Sequence, residues 1–281
     1  MSIKNKVIKF REAVESLNSN IILGCESWLT EEIANEEVFP SNLTIYRKDR
    51  PDGYGGVFIA HSNKIISVRE TFLETNCEIV ACSTMLRNGR KLFIISFYHP
   101  NDSNLHLDEF FKALDLIYSS CKDPLLLIGG DFNLPGIDWV NSMHVPSRPY
   151  AFNSKRFIDY LLLHSLEQIN LQPTRGTNIL ELLITNSPET VHNIRCEMGI
   201  SDHGQLVHAE FNYFPHVEHL ARRTVLNFEH ADWDNFRQFV STAIMNSQVR
   251  FPTNSVNANW DLFEINDMGI NKYVTNKLTI Y

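Results

Sequence analysis

The chain has 281 residues, a net charge of −8 and an apolar share of 43%, an ordinary composition for a soluble globular protein with one α/β domain of about 200 residues plus an appendage. No apolar run reaches the roughly 20 residues of a membrane-spanning helix, and the acidic charge argues against strong non-specific nucleic-acid binding, which basic surfaces drive. The first twenty residues carry dispersed charges and no uninterrupted apolar stretch, so they do not read as a signal peptide; a nuclear or cytoplasmic protein, not a secreted one, is expected. The five cysteines (Cys25, Cys77, Cys82, Cys121, Cys196) form no CxxC pair and no zinc-spaced cluster, which points to reduced, mostly buried thiols.

Residues 3–18 predict an amphipathic helix, with Ile3, Val7, Phe10, Val14 and Leu17 on one face. A short apolar strand, 21–25, follows and ends at Glu26, and another strand, 54–60, is entered through glycines. Residues 78–98 predict a hairpin around the turn pair Asn88-Gly89. A helix is expected over 104–120, then a buried strand over 124–130 that stops at Asp131, a second helix over 154–168, and strands over 179–185 and 205–211. Beyond about residue 213 the composition changes. There Asp232 is placed to cap a helix running to Met245, with Trp233, Phe236, Val240 and Ile244 on one face.

Four places carry chemistry. The apolar strand before Gly130-Asp131-Phe132-Asn133 delivers an acid and an amide two positions apart, and side chains two apart on an extended chain share a face. A carboxylate there suits a hard cation or a proton transfer, and an amide suits a phosphate oxygen or a water; the plainer alternative is a surface turn after a core strand. Ile200-Ser201-Asp202-His203 pairs an acid with a group that titrates near neutrality, or it is loop decoration. Glu26 ends a strand within Cys25-Glu26-Ser27-Trp28, where one oxygen could ligate Mg²⁺ or where it is an ordinary loop acid. Tyr98 ends a hairpin strand, poised for a phosphate or simply packed.

In this order these motifs resemble the endonuclease/exonuclease/phosphatase superfamily, which includes apurinic/apyrimidinic endonucleases, DNase I and inositol polyphosphate phosphatases. Within it the chain is similar to the endonuclease domains of non-LTR retrotransposons. That likeness rests on Glu26-Ser27-Trp28-Leu29, Gly53-Tyr54-Gly55-Gly56-Val57, Asp138-Trp139, Pro173-Thr174-Arg175, Leu182-Leu183-Ile184-Thr185-Asn186, and Asn227-Phe228 with Ala231-Asp232-Trp233. The resemblance implies an α+β, four-layer α/β/β/α sandwich of two packed mixed sheets (DNase I-like) over 1–213. It also implies a partly helical linker over 214–281, which in relatives leads to a reverse transcriptase. The implied activity is Mg²⁺- or Mn²⁺-dependent nicking of DNA, with no membrane or obligate protein partner. By the same resemblance Glu26 and Asp202 hold the metal, Tyr98 contacts the scissile phosphate and Asp131 activates the attacking water. Asn133 orients phosphate or water, His203 stabilises developing charge, and Thr174 and Arg175 belong to the substrate-binding set.

Two departures from the family pattern stand out. Relatives begin with an Asn-bearing strand just ahead of the segment corresponding to Ser2-Ile3-Lys4-Asn5-Lys6, so the first strand of the fold is expected to be missing. Relatives also carry Asp where this chain has Glu181; that Asp orients the His of the SDH motif, and a shift of about 1 Å there can cost roughly 100-fold in rate. A catalytically dead remnant that at most binds nucleic acid, and a phosphatase of the same fold, therefore stand as alternatives.

Overall fold

The computed structural model describes residues 3–100, 103–200, 205–212, 223–226, 232–248 and 277–280. The chain falls into two compact units, Met1–Val217 and Glu218–Tyr281. The strands of the first unit are β1 (Ile21–Cys25), β2 (Leu43–Lys48), β3 (Val57–Ser62), β4 (Val68–Arg69), β5 (Glu78–Met85), β6 (Lys91–Tyr98), β7 (Leu125–Asp131), β8 (Ile137–Asp138), β9 (Met143–His144), β10 (Glu167–Gln168), β11 (Glu181–Thr185), β12 (Val191–Met198) and β13 (Gln205–Phe211). Its helices are α1 (Val7–Leu17), α2 (Asn35–Val38), α3 (Asn104–Ser120) and α4 (Ala151–Leu163). The second unit contains β14 (Arg223–Leu226) paired antiparallel with β15 (Lys277–Ile280), and α5 (Trp233–Gln248).

A six-stranded mixed sheet in the order β10-β11-β7-β6-β5-β4 forms the centre of the first unit. Only β6 and β7 run parallel, joined through α3. Both faces of this sheet are covered, which is why Leu125 to Ile128 form a continuous apolar run rather than an alternating one. One face carries Phe97, Leu126 and Ile128 against α3 and α4 around a cluster of buried phenylalanines. The other carries Val80, Ile94, Leu127 and Leu183 against Val57 and Ile59 of the second sheet. That second sheet, β1-β3-β2, is covered on its far side by α1, where Phe10 packs edge-on against Phe39 and Phe58. The layers are thus helix, sheet, sheet, helix, as the resemblance implies.

Across the central sheet, β3 lies over β5 and β6, β1 lies over β6 and β7, and β13 lies over β11. Among the described residues β1 pairs only with β3, and β13 only with β12. Ile21, Leu23 and Cys25 of β1 and Val207, Ala209 and Phe211 of β13 flank the same core cluster, yet all are only partly buried.

Most expected elements form, with shifts that have local causes. The first helix starts at Val7 rather than Ile3, because the N–H groups of Ile3 and Lys4 turn to the carbonyl of Ser27. The expected 54–60 strand begins at Val57, since Gly53, Gly55 and Gly56 all adopt left-handed backbone and turn the chain. The 154–168 helix runs over Ala151–Leu163 instead; Ser165 turns with φ 53°, and Glu167 and Gln168 join the sheet beside β11. Strands β2 and β12 had no sequence forecast, being polar mixtures with partly buried or exposed residues throughout most of their length. Asp232 caps α5 by accepting the Asn235 N–H at 3.1 Å. Among the described residues no helix is long and apolar enough to cross a membrane.

Candidate active site

The register of the central sheet builds the site. Glu78 lies opposite Tyr98, Tyr98 beside Asp131, and Asp131 opposite Glu181. Four polar side chains from β5, β6, β7 and β11 therefore sit in one row across the end of the sheet. Alternation along each strand puts all four on the face that also carries Val80, Ile94, Leu127 and Leu183, the face turned toward the second sheet.

Two glycines let the row come together. A Cβ on Gly130 would lie 1.8 Å from the backbone oxygen of Phe97, and one on Gly129 would lie 2.6 Å from Leu23. Phe132 points to the opposite face, where its ring packs against Phe97, Phe110 and Phe157 at 5.0 to 5.5 Å. That anchor sits between Asp131 and Asn133 and fixes both, each aromatic pair contributing about 0.5–1.5 kcal/mol beyond its burial.

Glu26 arrives from β1 by breaking the strand pattern. Cys25 faces the central sheet, so a regular strand would turn Glu26 toward α1. Instead Glu26 has φ 52° and Trp28 has φ 58°. A left-handed backbone is costly for a bulky residue, and such strain concentrates where a side chain must be aimed. The Glu26 carboxylate accepts a 2.6 Å hydrogen bond from the Tyr98 hydroxyl. Burial and that acceptor both hold the Tyr98 phenol protonated, well above its ordinary range.

Asp131 is 5% exposed. One carboxylate oxygen accepts the Asn133 N–H at 3.1 Å and the other accepts from Arg175 at 3.1 Å. Burial and then repulsion from Glu181 push its pKa up to about 7, against the opposing pull of Arg175 and the Asn133 N–H, with Glu26 adding to the rise. Beneath it, the Cys25 thiol accepts the Asp131 N–H and donates to the Phe97 carbonyl; burial pushes this thiol up to about 12, so it stays neutral.

Arg175 joins the row's far end. The same guanidinium nitrogen that reaches Asp131 lies 3.0 Å from Glu181, and its neighbour lies 3.4 Å from the Asn133 side-chain oxygen. The second oxygen of Glu181 is buried with no partner among the described residues. Asn133 itself has φ 47° and donates its amide to the His99 carbonyl at 2.9 Å.

Of the residues expected from sequence, Glu26, Tyr98, Asp131, Asn133, Arg175 and Glu181 are brought together. Thr174 is not presented to a ligand: it is 2% exposed, and its hydroxyl accepts the N–H groups of Leu180 and Glu181. It shapes the turn that aims Arg175. Asp202 and His203 lie outside the described residues. Sequence reasoning missed Glu78 and Arg50. The buried Glu78 carboxylate accepts the Gly56 N–H at 2.5 Å and a 3.3 Å bond from Arg50, and burial raises its pKa against both. Counting back from the Asn88-Gly89 turn would have put Glu78 opposite Tyr98.

Among the described residues no three His, Cys, Asp or Glu side chains converge on one point to hold an ion. The donors present are nevertheless oxygen throughout, and Mg²⁺ needs only one or two carboxylates when waters and phosphate complete its shell.

Comparison with known proteins agrees with this architecture. Residues 92–207 match a family model described as endonuclease-reverse transcriptase. The fold resembles the endonuclease domain of TRAS1, a telomere-specific non-LTR retrotransposon, at 15% identity and TM-score 0.53, covering 70% of this chain and 87% of that one. It also resembles an AP endonuclease from Archaeoglobus fulgidus at 14% identity and TM-score 0.54, covering 75% and 96%. A third likeness is to the 3′ phosphatase NExo from Neisseria bound to a product DNA hairpin, at 13% identity and TM-score 0.53, covering 75% and 96%. No curated protein matches the sequence. The likenesses to solved structures show the fold, that of the endonuclease/exonuclease/phosphatase proteins, and the match over residues 92–207 shows similarity to endonuclease-reverse transcriptases.

Proposed function

We propose that this chain is a divalent-metal-dependent DNA endonuclease of retrotransposon type that hydrolyses a phosphodiester bond in target DNA. The observation that carries the reading is the in-register row Glu78–Tyr98–Asp131–Glu181, met by Glu26 from the second sheet, with Arg175 bridging Asp131 and Glu181. Glu26 and Asp202 would hold Mg²⁺ or Mn²⁺. When bound, the cation neutralises phosphate charge and makes an attacking water more acidic.

The protein's own residues divide the remaining work. Asp131 takes the proton from the attacking water, and a pKa near neutrality suits that role. Arg175 is placed to donate to a phosphate oxygen while it keeps Asp131 oriented. Tyr98 steers the Glu26 carboxylate, and its phenol faces the place where the phosphate would lie. Asn133 fixes the distance between the Asp131 end of the row and the loop after it. His203 stabilises the charge that develops on the phosphate. Withdrawal of a positioned proton acceptor typically removes 10²–10⁴-fold of rate, as an order of magnitude.

A supercoiled-plasmid nicking assay tests the proposal. Relaxed circles are expected with Mg²⁺ or Mn²⁺ and not with EDTA, and Asp131→Ala or His203→Ala should lower the rate about 100-fold or more. Nicking equal to those variants rejects it. One feature favours a weakened enzyme or binding remnant: Glu181 replaces the family's Asp, and one of its oxygens is committed to Arg175. On that reading Glu181→Asp raises the rate, and an unchanged rate removes it.

A further inference from the structure

Beside the site lies a feature that the catalytic row does not use. Trp28 and Tyr54 form an aromatic pair, ring centroids 5.3 Å apart with planes at 70°. Tyr54 is 63% exposed, and Trp28 is half-buried. Trp28 holds a left-handed backbone, φ 58°, a conformation that is costly for a bulky residue.

The loop carrying Tyr54 is fastened to the site from below. The Trp28 N–H donates to the Gly55 carbonyl at 2.9 Å, and the Gly56 N–H donates to Glu78 within the row. Arg50 spans Glu78 and Asp52, and Asp52 in turn accepts the Tyr54 N–H at 3.0 Å. Arg50 on this loop is already shared between the carboxylates of Asp52 and Glu78. What the surface offers is a neutral aromatic face at a fixed distance from the reacting groups.

We propose that Trp28 and Tyr54 bind the nucleoside next to the scissile phosphate, stacking on its base or sugar face. The inference rests on the phosphodiester-cleaving reading above and adds what makes the substrate a nucleic-acid strand rather than a small phosphate ester. Stacking of one base on an aromatic residue changes affinity about 5- to 150-fold by alanine substitution.

The test uses the full chain and a fluorescein-labelled DNA oligonucleotide in EDTA, so that binding is read without turnover. Tyr54→Ala is expected to raise the Kd about tenfold, and Tyr54→Phe to stay within about twofold. Oligonucleotide should quench tryptophan emission in the wild type, and Trp28→Phe should remove most of that quench. Hydrolysis of bis(p-nitrophenyl) phosphate, a diester with no nucleoside, should be the same in Tyr54→Ala and wild type. Unchanged oligonucleotide affinity in Tyr54→Ala overturns the proposal. So does an equal loss on the small diester, because the pair would then prop the reacting groups rather than hold substrate. Tyr54-dependent binding by a protein that cleaves nothing defeats the nuclease reading and leaves this contact standing; cleavage of DNA indifferent to Tyr54 does the reverse.

Discussion

Two apolar strands deliver a carboxylate to the site, and they are held in different ways. Strand β7 has a neighbour on each side, β6 and β11, and all but one of its residues are buried. Strand β1 has only β3 beside it among the described residues, and all five of its residues are partly exposed. Asp131 is therefore positioned by the sheet itself. Glu26 is positioned by a strained turn and by local contacts that include the hydrogen bond from Tyr98. The site joins a rigid half to a half that depends on a few local contacts.

The hardest test of that contrast is Gly130→Ala. The new methyl group meets the Phe97 backbone, which has nowhere to move, so the variant should fail to fold or lose more than about 4 kcal/mol, read as soluble yield and Tm. Gly89→Ala, at the hairpin turn, meets no atom within 4 Å and should cost only the left-handed backbone term, about 1–2 kcal/mol.

Asp131→Asn should abolish nicking yet stabilise the metal-free protein at alkaline pH. The folded carboxyl titrates near 7, above its ordinary 3.8. Between those values the folded state holds a proton that the unfolded chain has released, so wild-type stability falls as pH rises through that window. The upper bound is about 4 kcal/mol above pH 7. The variant should melt higher than wild type at pH 8.5, and the gap should close toward pH 5. A gap that does not change with pH would show that Asp131 is not the strained group.

A smaller effect compares the strands directly. Leu127→Ala on β7 should cost about 3–4 kcal/mol, and Leu23→Ala on β1 roughly 1–2 kcal/mol, both by denaturant titration. Equal losses would erase the distinction between the two halves. Smallest is Tyr98→Phe, expected to cost about 1 kcal/mol of stability by removing the donor that steers Glu26. Its larger consequence should be a weaker response of Tm to added Mg²⁺.

Much of the rigid half was readable from residues alone. The Leu125-to-Ile128 run, the Asn88-Gly89 hairpin and helix α3 carry strong local signals, and Asp131 and Asn133 follow from the strand that ends at them. The loose half was less legible. Strand β2 lacks a clean alternation, and the turn at Glu26 depends on a backbone conformation that no propensity favours. Arg175 was picked out by resemblance, but its bridge between Asp131 and Glu181 is a tertiary fact. Thr174 shows the opposite error: a residue inside a recognisable motif whose hydroxyl serves the backbone. Glu78 escaped because it starts a strand, where an acid carries no pattern of its own.

The row across β5, β6, β7 and β11 also makes the site a reporter on its own assembly. Each of those strands contributes one residue at one level, so a slip of a single residue in any pairing turns that contributor to the far face. A misregistered chain can still bury its leucines and look compact, but it cannot present the four groups together. Turnover, if present, then counts only correctly paired molecules, and specific activity becomes a measure of folding fidelity that spectroscopy of the bulk sheet would overlook.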